Sequence, residues 1–544
     1  MIFTMNDDRM IMEFLSGRYL GYPEAHSIYM NYPFTWLIAS LYKIFPSYNW
    51  YCITLIGVMS LCTGMIMFRC YQYVKENKKK HLYLIAIVLL LFMIGTNLIA
   101  LTYSTVAATV GITTLFWYGT SKGTKIDILV TGILAALTWC IRDELFIMIL
   151  PAAGLIWIFR EVFEKKSLVK KMAAPVCVML CVGICILCDG LAYSSEEWKS
   201  FNAYNLETRT EIYDYQSDYY FPNYEENRDY YDELGLSNEE RRMLIYSSFA
   251  YIQDEISTDT LDKIVEIRGN YGEIETLSLG TQIKDGTKNL IEHIKEGRFG
   301  IRFYVGIIGF AAAVIFFLVK KEKKAFLEAV LIGGCTIGIV WAMEVRGRVP
   351  LRVADSLSMM VLMMMFLVWI WNWKQVYKNK GYKIIFTIVI AIIGILGVSD
   401  TYKSVVEAKQ TKEWNLNYDD VRNYCQEHPE DFFVVSIGAI DKYGLNVNIG
   451  KEDNRQNNYI SGGDWMAYSP VQKERLKQEG ISSVAEAMVY DDHVYLISEE
   501  DNYLVYLCDY LESRFEKEVI ATKVHDLNEL YFVYKLNAVS KDAD

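Results

Sequence analysis

Three clusters of charge lie where long apolar runs end, and their residue types could do chemistry. The first is Asn6-Asp7-Asp8-Arg9, the second is Arg142-Asp143-Glu144, and the third runs from Glu344 through Arg346, Arg348 and Arg352 to Asp355. Ionisable groups beside membrane spans are costly, which makes each cluster a candidate for function. A carboxylate can take the proton of a hydroxyl nucleophile. Arginines hold a phosphate through paired N–H bonds. Together they suit transfer from a phosphate-linked lipid donor. Each cluster also has an ordinary reading. Asp7 and Asp8 could cap a helix beginning near Arg9, Arg142 and Asp143 could form a plain turn with a local ion pair, and the three arginines could reach lipid headgroups. What favours chemistry is that all three fall on one face of the membrane.

The elements that must position these groups follow from composition and hydropathy. The chain has 544 residues, 52% hydrophobic and 22% charged, and 66 acids against 54 bases leave a net charge of −12. That balance argues against nucleic acid as a partner. Long uncharged runs alternate with charged blocks, the pattern of a polytopic α-helical membrane protein whose first partner is the lipid bilayer. A hydrocarbon core of about 30 Å needs about 20 apolar residues per helix. Ten runs are read as spans: Tyr51–Phe68, Leu82–Leu101, Ser104–Tyr118, Ile126–Ile141, Leu145–Phe159, Met172–Leu191, Phe303–Val319, Ala325–Met343, Val353–Trp371 and Ile384–Val398.

Four basic blocks, around Lys75–Lys80, Lys165–Lys171, Lys320–Lys324 and Lys374–Lys383, then fall on one side. Excess lysine in short loops marks the cytoplasmic face of a plasma-membrane protein. The other face receives a first external loop (1–49), a helical insertion (193–300) and a C-terminal domain (399–544), with spans in 50–192 and 301–398. A chain that begins outside needs an earlier span to carry it there, so Met1–Met5 reads as the trailing end of a first helix lying upstream. Ile28–Phe45 is apolar but holds Pro33 and Lys43. Counting it as a span would invert every later loop, so it is expected to lie in the outer interface.

An acidic pair in the first external loop (Asp7, Asp8) is followed by interfacial helices. A further acid comes in the next short external loop (Asp143 or Glu144), then an arginine motif in a later one, and a soluble domain comes last. In this order the chain resembles the GT-C class of integral-membrane glycosyltransferases, which includes the protein O-mannosyltransferases and the lipid A aminoarabinose transferase. The stretch from Ser16-Gly17-Arg18-Tyr19 through Pro23-Glu24-Ala25-His26 to Trp50-Tyr51 is also similar to bacterial members of that class. The likeness is architectural and covers Asn6 to Val398. It implies a polyprenyl-phosphate-linked sugar as donor and an envelope glycan, lipid or protein as acceptor. Asp7 or Asp8 would be the general base. Asp143 or Glu144 would orient the acceptor or bind a divalent cation, and no other cofactor is implied. Arg142, Arg346, Arg348 and Arg352 would bind donor phosphate, with His26 and Tyr29 contacting sugar.

Within the insertion, Ser237–Glu255 and Thr258–Arg268 read as helices, the first opened by a Ser237/Glu240 capping box. The tail reads as a small α/β domain. Its helices are expected at Asp419–Gln426 and Asn502–Lys517, and its strands at Phe432–Ile437, Val494–Ser498, Val519–Val524 and Leu530–Lys535. It shows no metal-ligand spacing and no nucleophile–base pair. Cys177, Cys181, Cys185 and Cys188 follow helical spacing and read as packing residues rather than a metal site, while a Cys425–Cys508 disulfide stays open. Two other functions use the same carriers. One is an envelope-polysaccharide polymerase or ligase; the other is a transporter of lipid-linked oligosaccharide, which would need mid-span charge and a repeat of spans. A non-enzymatic scaffold would leave the three clusters coincidental.

Overall fold

The computed structural model describes residues 2–3, 6–77, 97–163, 167–215, 217–272, 278–347, 349–372, 380–416, 419–438, 446–447, 449–463 and 465–540. Among them, six helices are long and apolar enough to cross a membrane: Trp50–Gln72, Asp143–Val162, Leu168–Ala192, Gly300–Val319, Lys323–Val345 and Leu351–Trp371. Each coincides with an expected span. Two further expected spans are helical but less apolar or shorter. Tyr103–Thr120 carries Thr105, Thr109, Thr113 and Thr114, and Lys125–Ile141 has 17 residues. The run Leu82–Leu101 lies mostly outside the described residues, and its last two residues are strand rather than helix. Ile384–Val398 belongs to a longer helix, Lys380–Leu416.

Tyr103–Thr120 is the central helix, buried along nearly its whole length. Its threonines can be buried because each hydroxyl bonds a carbonyl within the same helix, as from Thr109 to Thr105 at 2.8 Å and from Thr114 to Val110 at 2.9 Å. It packs against Trp50–Asn77, Lys125–Ile141, Asp143–Trp157 and Leu351–Trp371. Just before it, β2 (Ala100–Leu101) pairs in parallel with β1 (Ile2–Phe3). Ile2 and Phe3 are therefore extended, not the end of a helix. This pairing sets the start of the Asn6–Ser16 helix beside the start of the central one.

The Ile28–Phe45 piece contains a helix at Tyr32–Ile44 with Pro33 in its first turn. Thirteen residues rise only about 20 Å, too short to cross a membrane. Trp36, Leu37, Ile44 and Phe45 are exposed along it.

The insertion is helical, as expected. Both bonds of the Ser237/Glu240 capping box form, and Thr258–Arg268 is a helix over the expected bounds. The expected Ser237–Glu255 helix is instead broken into Asn238–Ile245 and Phe249–Ile252, with Ser247 in the left-handed region at φ 53°. The cause is tertiary. The Ala250 N–H donates to the Gly462 carbonyl at 3.0 Å, and a Cβ on Gly463 would meet the Ser247 carbonyl oxygen at 1.9 Å.

The C-terminal domain holds a five-stranded sheet in the order β4 (Tyr459–Ser461), β3 (Phe432–Val435), β5 (Val494–Ser498), β7 (Phe532–Val539), β6 (Glu518–Asp526). β3 runs parallel to β4 and β5, and β7 is antiparallel to β5 and β6. The four expected strands and both expected helices are there. The three-residue β4 and the helices Pro470–Gln478 and Val484–Tyr490 complete the domain. All eleven cysteines are free, including Cys425 and Cys508. Cys177 and Cys181 pack against Gly132, where a Cβ would approach their sulfurs to 2.8 and 2.9 Å.

Candidate functional site

Asp7 and Asp8 lie in the first turn of Asn6–Ser16, where unpaired N–H groups and the positive helix end favour carboxylates. Successive helical residues point about 100° apart, so the two acids meet different neighbours. Asp8 is fully buried. Its Oδ1 accepts the Tyr51 hydroxyl at 2.7 Å and the Tyr103 backbone N–H at 2.9 Å. That N–H belongs to the first turn of the central helix, where it has no intrahelical acceptor. Burial pushes the Asp8 carboxyl up to about 7. The Asp7 charge adds to the rise, and bonds from Tyr51, Tyr103 and Thr102 oppose it.

Asp7 faces other groups. Its Oδ2 lies 3.5 Å from the Tyr103 hydroxyl and 3.9 Å from Nη1 of Arg352. Arg352 stands in the first turn of Leu351–Trp371, entered through Pro350 at the N-cap. From the other side, Arg142 donates through Nη1 to the Tyr103 hydroxyl at 2.8 Å and to Ser104 Oγ at 2.9 Å. Its Nε and Nη2 grip Glu144 Oε2 at 3.1 and 2.7 Å. A guanidinium only donates. The Tyr103 oxygen therefore accepts from Arg142 and turns its proton toward Asp7. Asp7, Tyr103, Arg142, Glu144 and Arg352 thus meet at one end of the bundle, with Asp8 directly behind them.

The other expected site residues divide. Asp143 is exposed, and its Oδ1 accepts the Glu144 N–H at 2.8 Å, closing the start of its own helix. Arg346 is exposed at the end of Lys323–Val345. Arg348 lies outside the described residues. His26 has both ring nitrogens on protein acceptors, Glu24 Oε1 at 2.6 Å and the Ala192 carbonyl at 3.2 Å. Its ring stacks on Trp198 at 4.7 Å, so it ties the first loop to the start of the insertion. The ring of Tyr29 stacks on Tyr103 at 6.1 Å and meets Trp465 of the C-terminal domain at 5.0 Å, edge on.

Sequence reasoning missed Tyr103, which links Arg142 to Asp7. It also missed Arg302, buried in Gly300–Val319 and bonded to Asn97 at 3.0 Å and Asp355 at 2.9 Å. An arginine inside an otherwise apolar run was the available signal for Arg302. Tyr103 is one of 40 tyrosines and carried no signal. The C-terminal domain is seated on the first helix by buried polar contacts. Tyr459 donates to Glu13 at 2.9 Å, Glu13 pairs with Arg9 at 3.1 Å, and Arg18 pairs with Glu452 at 2.6 Å.

For a metal ion, the described residues offer His428, Glu430 and Asp431, whose ligand atoms lie within 4.8 Å of one another. They belong to the C-terminal domain, where no metal-ligand spacing was expected. Asp143 and Glu144, the acids expected to take a divalent cation, instead face an N–H and the Arg142 guanidinium.

No protein-family model and no curated protein matches the chain. Among solved structures it is similar to ArnT from Cupriavidus metallidurans bound to undecaprenyl phosphate, at 10% identity over 97% of this chain and 92% of that one, TM-score 0.38. The same protein in the apo state gives 10% identity over 98% and 93%, TM-score 0.40. The oligosaccharyltransferase of Archaeoglobus fulgidus in the apo form gives 11% identity over 94% of this chain and 68% of that one, TM-score 0.45.

Proposed function

We propose that this protein is a membrane glycosyltransferase of the GT-C type that moves a sugar from a polyprenyl-phosphate donor to an envelope acceptor on the outer face of the plasma membrane. Asp7 is the general base. Its carboxylate takes the proton of the acceptor hydroxyl as that oxygen attacks the anomeric carbon, and the bond to the donor phosphate breaks. Arg352 holds the phosphate leaving group, joined by the arginines of the preceding turn. Tyr103, fixed by Arg142 and Glu144, orients Asp7. Asp8 serves from behind, binding Tyr51 and the Tyr103 N–H.

The observation that carries this reading is the meeting of Asp7 Oδ2 with the Tyr103 hydroxyl and the Arg352 guanidinium. These groups come from positions nearly 350 residues apart in the chain, and an acid beside a cation is the pairing this chemistry needs. The test separates the two neighbouring acids. Asp7→Asn should abolish transfer from a polyprenyl-phosphate sugar while membrane expression is unchanged, and Asp8→Asn should retain most of it. Full activity in Asp7→Asn excludes the role.

A further inference from the structure

The backbone just before the helix of Arg352 is held from a distance, at Val349, by residues no step above uses. Leu279–Lys295, the last helix of the insertion, lies against the end of Lys323–Val345. Contact is close because Gly286 has no side chain: a Cβ there would fall 2.4 Å from Val345 Cα. Trp341 also donates to Thr287 Oγ1 at 2.9 Å. In the last turn of Leu279–Lys295, His293 Nδ1 lies 2.8 Å from Glu344 Oε1. Its Nε2 lies 2.7 Å from Nη1 of Arg298, whose Nη2 donates to the Val349 carbonyl at 2.7 Å. Glu344 and Val349 are both buried.

The partners fix the tautomer. Arg298 can only donate, so His293 Nε2 accepts and Nδ1 carries the proton that goes to Glu344. The imidazole therefore relays the buried carboxylate to the guanidinium, and the guanidinium ties the Val349 backbone. Val349 is followed by the N-cap Pro350 and then by the helix turn that bears Arg352.

We infer that His293, Arg298 and Glu344 form a latch that positions the start of the helix bearing Arg352, an inference that rests on the phosphate role proposed for Arg352 above. These are positioning residues. They act on donor phosphate only through the Val349 carbonyl and the helix start it precedes. Glu344 and Arg298 are the charged groups bonded to His293.

The test uses the full chain in nanodiscs with undecaprenyl phosphate as probe, binding being followed by intrinsic tryptophan fluorescence. His293→Ala and Arg298→Ala should each weaken binding about tenfold, the scale of one lost charge-assisted hydrogen bond. His293→Gln keeps a donor and an acceptor and should recover most of that loss, which a merely structural role would not do. Arg352→Ala is the control for the phosphate site itself. If Arg352→Ala loses affinity while both alanine variants bind as wild type, the latch is overturned and the phosphate reading stands. If wild type shows no binding, or Arg352→Ala binds equally well, the phosphate reading fails instead. A Gln variant no better than Ala overturns the relay.

Discussion

The two ends of the helix bundle carry similar residues and use them differently. At the end opposite Asp7, Arg69 is hydrogen-bonded to Asp127 and lies over the Trp117 ring, 3.6 Å from its centroid. Asp127 also completes the capping box of its own helix with Thr124. Arg160 donates to the Tyr118 and Ser121 carbonyls, and Glu328 accepts from Asn372 at 2.7 Å. There Arg69 and Asp127 close on one another, and Arg160 and Glu328 close on backbone carbonyls and an amide. At the Asp7 end, the acid stands 3.5 Å from a hydroxyl and 3.9 Å from a guanidinium, at or beyond the limit of a hydrogen bond. A closed buried pair resists being parted. At the Asp7 end a carboxylate, a hydroxyl and a guanidinium from three separate helices face one another.

If this contrast is right, substitutions at the two ends should fail in different ways. The largest effect is expected at Asp7. Asp7→Asn should lower kcat for sugar transfer by about 10²–10⁴-fold, the range of general base catalysis, with the thermal midpoint little changed. Asp127→Ala should do the reverse. Leaving Arg69 buried without its partner should cost about 3–5 kcal/mol of stability, read as a fall in thermal midpoint, while the donor KM of the folded fraction stays at the wild-type value. A raised donor KM there would break the comparison.

Smaller effects sharpen it. Arg352→Ala should weaken polyprenyl-phosphate binding by about 10–100-fold through loss of charged hydrogen bonds, leaving kcat at saturating donor less affected. Asp8→Asn should be mildest, since an amide oxygen can still accept from Tyr51 and the Tyr103 N–H. Its signature is pH dependence. The Asp8 carboxyl is raised from 3.8 to about 7 in the folded protein, so the folded state holds the proton more tightly than the unfolded chain. That contribution is complete below pH 3.8 and is lost as pH rises through about 7. Wild-type stability should therefore decline across this window, and Asp8→Asn should flatten the decline.

Much of this was legible in the sequence. Residue type alone nominated Asp7 and Arg352, because a carboxylate and a guanidinium beside apolar runs have few inexpensive alternatives. The strands of the C-terminal sheet were legible where alternation or apolar runs reached four residues, and β4, with three, was not. Hydrophobic period cannot report that Ser247 breaks a helix, since the cause is the Gly462-Gly463 backbone more than 200 residues later. Nor could sequence divide the work of Asp7 and Asp8. One residue of helical rotation separates an acid sealed against Tyr51 from one facing Arg352, and only the rotation about the helix axis decides which is which. Tyr103 was illegible for a related reason: its role comes from the three side chains that reach it, not from its own surroundings in the chain.

The central claim is that the outer arginines hold a phosphate beside Asp7. An experimental structure of the full chain with undecaprenyl phosphate tests it most directly. The phosphate should be found within hydrogen-bonding distance of the Arg352 guanidinium, about 3 Å, with Asp7 lining the same cavity. A phosphate bound elsewhere, away from Arg352, would contradict it.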